Sequence, residues 1–246
     1  MKGLICVFLA IIFISGCVSK RPINLNDMAR IGVYSSVTDT TNNNIWDENT
    51  ARTDGQIDIF FDVDWDIKKK IESSLSNAAE KRWSKKLIII DKVEANLSAA
   101  DHISYGFSSV YEKYIPALTE VKNKYSLDVL LIAKPSWRYY HGETPLYNKG
   151  IGVQSFEDGL SGHVAIDIFA IDLNTMKIIF PAVQDGITMK PFLRTPYVSS
   201  NDAEVNRKTG EVIIKPAYMD KVFSEIDSIV NWYMKEVPIS FVAKKI

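Results

Sequence analysis

The chain has 246 residues, 46% of them hydrophobic, with 29 basic and 30 acidic side chains and a formal net charge of −1. That length suits one large domain or two small ones and leaves room for an ordinary globular core. So even a charge balance gives no clustered basic face and argues against nucleic acid as a partner.

Residues 1–17 set the address. Lys2 supplies a positive start, and Leu4 to Ile14 is an unbroken apolar run of eleven residues. The run is too short for a bilayer, which needs about 20 apolar residues. It has the charge, length and small-residue exit of a secretory signal. Ile14-Ser15-Gly16-Cys17 resembles the lipobox of bacterial lipoproteins, which implies removal of residues 1–16 and acylation of Cys17. Cys6 leaves with the signal, so the mature chain holds one cysteine and no internal disulfide. It has 230 residues, with 28 basic and 30 acidic side chains once Lys2 is gone. Val18 and Ser19 follow the cysteine, with no aspartate in the next position. By resemblance to the sorting of Gram-negative lipoproteins, this implies the outer membrane, facing the periplasm. Residues 17–27 are expected as a lipidated tether and 28–246 as a single α/β domain.

Within that domain, Ile31–Val37 alternates as a strand. Thr38–Gln56, with Asn42-Asn43-Asn44, is polar and expected as a loop, and Ile57–Val63 as a strand or docked loop. Ile67, Ile71, Leu75, Ala78, Ala79 and Arg82/Trp83 make a helical stripe over Asp66–Trp83, with Asp64 or Asp66 as cap. Leu87–Asp91 is a short apolar run, as in a strand covered on both faces. A second helix starts at Pro116, and Leu127–Ala133 is the next buried strand. His163–Asp172, the turn Leu173-Asn174-Thr175 and Met176–Phe180 form a hairpin. Two insertions, 134–162 and 185–216, interrupt this order. The second carries its own small hairpin around Lys208-Thr209-Gly210. The last helix covers Tyr218–Lys235, and Pro238 ends it.

The order predicts a mixed α/β (α+β) sheet of about five strands, three packing helices and two long loop insertions. The same succession, with the Tyr125-Ser126-Leu127-Asp128 joint and the hairpin at Asp172-Leu173-Asn174-Thr175, resembles a group of periplasmic α/β domains. These are the amino-terminal domain of the Tol-system propeller protein, the curli-secretion lipoprotein and the lipoprotein activators of peptidoglycan synthases. The resemblance covers about two thirds of the chain. The curli protein's membrane hairpins have no counterpart in the polar stretch Thr38–Gln56.

Several constellations bear on chemistry. Asp58, Asp62, Asp64 and Asp66 stand at even spacing, either a divalent-cation edge or a solvated acidic helix start. His102, His141 and His163 lack the close spacing of a zinc site, so no metal and no cofactor is expected. Ser, His and Asp occur without a Gly-x-Ser-x-Gly elbow, and Gly150-Ile151-Gly152 lacks the rest of a nucleotide motif. The aromatic insertion is the better candidate. Trp137, Arg138, Tyr139, Tyr140, His141 and Tyr147 directly follow a buried strand, and Trp, Tyr and Arg dominate binding hot spots. The same rings could instead close the core.

These features predict a non-enzymatic envelope lipoprotein, anchored in the membrane by lipid and binding an envelope protein or peptidoglycan through its insertions. The alternative is a small-molecule or glycan binder, or a hydrolase, with a pocket between insertions 134–162 and 185–216.

Overall fold

The computed structural model describes residues 23–45, 57–91, 110–135, 137–140, 146–156, 159–180, 193–194, 197–198, 202–206, 211–237 and 239–242. The chain forms two units, one from 1–27 with 238–246 and one from 28–237. In the first, β1 (Ile23–Asn26) and β15 (Ile239–Val242) pair in parallel, Ile23 facing Ile239 and Asn26 facing Val242. The Ser240 hydroxyl donates to Asn24 Oδ1 at 2.6 Å. Part of the stretch expected as tether is therefore a strand.

The second unit is a mixed sheet with helices on it, as the element order predicts. The five expected strands are present in it: β2 (Ile31–Ser35), β5 (Ile88–Ile89), β6 (Val129–Pro135), β9 (Gly159–Asp172) and β10 (Lys177–Phe180). Their order is β5-β2-β6-β9-β10, with β2 parallel to β5 and β6, and β9 antiparallel to β6 and β10. Val129 to Ala133 are all buried, because β6 has a strand on each edge and helices on its faces. Helix α1 (Ile67–Trp83) runs against β2, and α3 (Pro216–Glu236) against β9. Helix α2 (Ile115–Tyr125) places Ala117, Leu118 and Val121 in one cluster with Leu130, Ile132, Phe169 and Ile171.

The sheet is wider than the five strands read from the sequence, because polar and inserted segments also pair. Residues 40–45, expected as loop, are β3 (Thr40–Ile45), held between β4 (Ile57–Asp62) and β8 (Leu146–Phe156). Asn is depleted in strands, and two flanking ladders override that preference at Asn42-Asn43-Asn44. Insertion 134–162 is mostly strand as well: β7 (Trp137–Tyr140), β8 and the start of β9. From insertion 185–216, β11 (Leu193–Arg194) and β12 (Tyr197–Val198) join β9, and β13 (Ala203–Asn206) with β14 (Glu211–Ile214) makes the expected hairpin. The strand expected at Leu87–Asp91 shrinks to two residues at the sheet edge, where Ile89 is 49% exposed.

Helix α1 is capped from a distance. Asp66 takes a left-handed conformation (φ 53°) and makes no side-chain cap, contrary to the expected local cap. Asp39, 28 residues upstream, accepts the Ile67 N–H at 2.6 Å instead. One turn on, the buried Glu72 accepts the Ser35 N–H at 3.2 Å and pairs with Lys68 at 2.5 Å.

Helices α1 and α3 share a polar clasp. Asp227 takes Lys70 Nζ at 2.6 Å on one oxygen and the Ser74 hydroxyl at 2.6 Å on the other. Charged hydrogen bonds of this kind contribute about 1.5–3 kcal/mol each before solvent screening. Asp227 is half exposed, so Asp227→Ala is expected to cost about 1–2 kcal/mol in urea denaturation. An unchanged midpoint contradicts the clasp.

Candidate functional site

The aromatic insertion is built on a branch in the sheet. Ala165 of β9 faces Gly150 of β8, while the next residue, Ile166, faces Pro135 of β6. Beyond that point β7 and the start of β8 pair with each other instead of with β9, Trp137 facing Lys149 and Tyr140 facing Leu146. Gly150 sits at the fork with φ +66°, a conformation that favours glycine, and a Cβ on it would lie 3.4 Å from Pro135 Cβ. Residues 137–140 and 146–149 thus form a two-stranded ribbon. Its described residues pair only within the ribbon.

The register sorts the candidate residues. Trp137, Tyr139, Tyr147 and Lys149 fall on one face, and Arg138 and Tyr140 on the other with Leu146 and Asn148. Tyr139 and Tyr147 are partners in the register of the ribbon. His141 lies outside the described residues, as does His102.

The base of the ribbon is fixed by a residue the sequence reading passed over. Tyr218, in the first turn of α3, is 1% exposed and donates its hydroxyl to the Gly152 carbonyl at 2.8 Å. The His163 backbone also hydrogen-bonds that hydroxyl, and Gly152 and His163 face each other across β8 and β9. Burial pushes the hydroxyl far above the ordinary tyrosine range, the Asp202 carboxylate adds to this, and the His163 backbone bond opposes it. The Tyr218 ring meets Trp65 edge-on, with centroids 6.2 Å apart. Asp202 is itself buried and ion-paired to Lys221 at 2.7 Å, and its carbonyl accepts the Lys215 N–H at 2.8 Å. The spacing Tyr218, Val222, Ile226, Ile229 and Tyr233 was available in the sequence as a stripe that starts with a polar-tipped ring.

The remaining constellations do not converge. His163 is fully buried within β9. Asp58 and Asp62 lie on alternate positions of β4, while Asp64 and Asp66 follow the strand's end. Among the described residues, no group of three His, Cys, Asp or Glu side chains is gathered to hold a metal. β8 of the first insertion and β11 of the second lie on opposite edges of β9, since Ala165 faces both Gly150 and Leu193. Among the described residues, no helix is long and apolar enough to cross a membrane.

No family model matches the chain, and no curated protein matches it either. Among solved structures it is similar to two PelC dodecamers from Paraburkholderia phytofirmans. The first is 12% identical, with a TM-score of 0.36, over 89% of this chain and 94% of that one. The second, a methionine-substituted variant, is 12% identical with a TM-score of 0.32, over 85% and 93%.

Proposed function

We propose that this chain is a lipoprotein, acylated on Cys17 and held at the periplasmic face of the outer membrane. There it acts as a non-enzymatic binding or assembly factor for an envelope protein or cell-wall partner. The observation that carries this reading is Ile14-Ser15-Gly16-Cys17 behind an eleven-residue apolar run and Lys2. The succession β2, α1, β5, α2, β6, β9, β10, on which the resemblance to a group of periplasmic α/β domains rests, supports a place in the envelope. Mass spectrometry of the native protein is expected to find Cys17 as the first residue, carrying acyl chains. A bare thiol, or residues 1–16 still attached, removes the address.

The ribbon Trp137–Tyr140 with Leu146–Lys149 is the partner-contact surface in this reading. Three aromatic positions, Trp137, Tyr139 and Tyr147, share one of its faces by register, and Tyr218 pins its base. The Trp137→Ala, Tyr139→Ala double variant is expected to lose tenfold or more of its partner in pull-downs from envelope extract, since aromatic anchors contribute about 2 kcal/mol each. Undiminished recovery with a native melting curve overturns the ribbon assignment.

A further inference from the structure

Strand β5 stops after Ile88–Ile89, and a side chain takes over from it. In a parallel ladder, every second residue of a strand bonds to the same neighbour, through both its N–H and its C=O. Val33 is such a residue of β2. It faces Ile89, and its carbonyl accepts the Ile90 N–H at 2.9 Å. Two residues on, Ser35 turns its backbone the same way, and a continued ladder would give its N–H to the Ile90 carbonyl. That N–H goes to Glu72 Oε1 of α1 instead, at 3.2 Å. Lys68, one turn earlier on α1, holds the same oxygen at 2.5 Å, and its ammonium lies 5.7 Å from the centre of the Tyr34 ring. On its other edge β2 is paired with β6 along its whole length, Ile31 to Ser35.

Glu72 is an unusual choice for this position. It stands among the buried residues of α1, beside Ile71 and Leu75, and is 5% exposed. A carboxylate so placed is unfavourable unless donors are supplied, and Ser35 and Lys68 supply them. We propose that Glu72 is an edge guard. Its carboxylate takes the donor that the next residue of a pairing strand would need. Its charge, with that of Lys68, stands where such a strand would run. Inward-pointing charge is one of the means by which sheet edges are kept from pairing with other chains. The strand kept out is one from a second copy of this chain, which would bring a backbone carbonyl to the Ser35 N–H.

The test uses chain 17–246 with Cys17→Ser, so its result does not depend on the acylation proposed above. Hydrogen exchange is read first, on the chain without further change. The Ser35 amide is expected to be protected to within about tenfold of the Val33 amide. Exchange at Ser35 as fast as at an exposed amide overturns the guard before any variant is made. Glu72→Gln keeps an acceptor and is expected to keep that protection, whereas Glu72→Ala is expected to lose it by at least about tenfold.

Sedimentation velocity then reads self-association. Glu72→Ala is expected to form larger species than the parent chain as concentration rises. Adding Ser35→Pro is expected to reverse this, because proline removes the edge donor. The bond to β6 is spared, since the Ala133 carbonyl takes the Ser36 N–H and not that of Ser35. A Glu72→Ala chain that sediments like its parent overturns the guard. Self-association that Ser35→Pro does not reverse overturns it too, and assigns the effect to general loss of folding.

Discussion

A chain carrying Cys17→Ser behind an export signal that is cleaved without lipid is expected in the soluble periplasmic fraction, while the native chain sediments with membranes. The expected effect is large because lipid partitioning is steep. Each buried methylene contributes about 0.8 kcal/mol, and a single fourteen-carbon chain already associates at about 10⁴ M⁻¹. A second chain on the same residue multiplies that constant, so attachment is close to all or none. Among the described residues no helix offers a substitute anchor. The check is fractionation with a salt wash, followed by immunoblot. Continued sedimentation of the Cys17→Ser chain through the wash removes the lipid from the account and assigns the attachment to the body.

Tyr218→Ala is expected to be the most damaging single substitution in the folded unit. The residue is fully buried, its ring packs on Trp65, and its hydroxyl satisfies backbone groups of β8 and β9. Truncating a buried aromatic costs about 3–5 kcal/mol, against a total stability of about 5–15 kcal/mol. Tyr218→Phe keeps the ring and strands the Gly152 carbonyl, at about 1–3 kcal/mol.

The pH dependence follows from the same burial. The Tyr218 hydroxyl titrates well above its unfolded value of about 10. Its neutral form is therefore favoured by folding. That contribution is fully present below pH about 10 and is lost as pH rises beyond it. Tyr233, also raised by burial, acts with the same sign. Urea midpoints measured at pH about 7 and about 11 should fall with alkalinity in the native chain, and fall less in Tyr218→Phe. An equal alkaline loss in both assigns the effect elsewhere.

The parts of this fold that could be read from sequence are those in which one local period decides the structure. The stripe Ile67, Ile71, Leu75, Ala79 gave α1 directly, and all four side chains are fully buried. The run Val129–Ala133 announced a strand covered on both faces, and Asp172 closes the turn into β10 by accepting the Asn174 N–H at 2.9 Å. Long-range causes were not readable. Thr40–Ile45 pairs because β4 and β8 flank it, and nothing in Asn42-Asn43-Asn44 announces that. The α1 cap comes from Asp39, across a stretch that holds two strands. Leu87–Asp91 looked central because it is apolar, yet among the described residues Ile88–Ile89 lies at the end of the strand order, beside β2. At the candidate site, the wealth of rings between Trp137 and Tyr147 was evident. The fork at Gly150 depends on how β6 and β8 share the edge of β9, and the bolt from Tyr218 on a contact 66 positions away.

The pairings of β2 with β6 and of β3 with β8 carry a cost in time. Ile31 meets Val129, and Asn42 meets Gly152, each about a hundred positions later in the chain. Partnerships so distant slow folding, since a long loop must close before any neighbouring contact repays the lost freedom. As the polypeptide emerges amino end first, β2 and β3 wait without these neighbours until more than half of it has followed. Their bare edges then invite adhesion to other chains until those partners arrive.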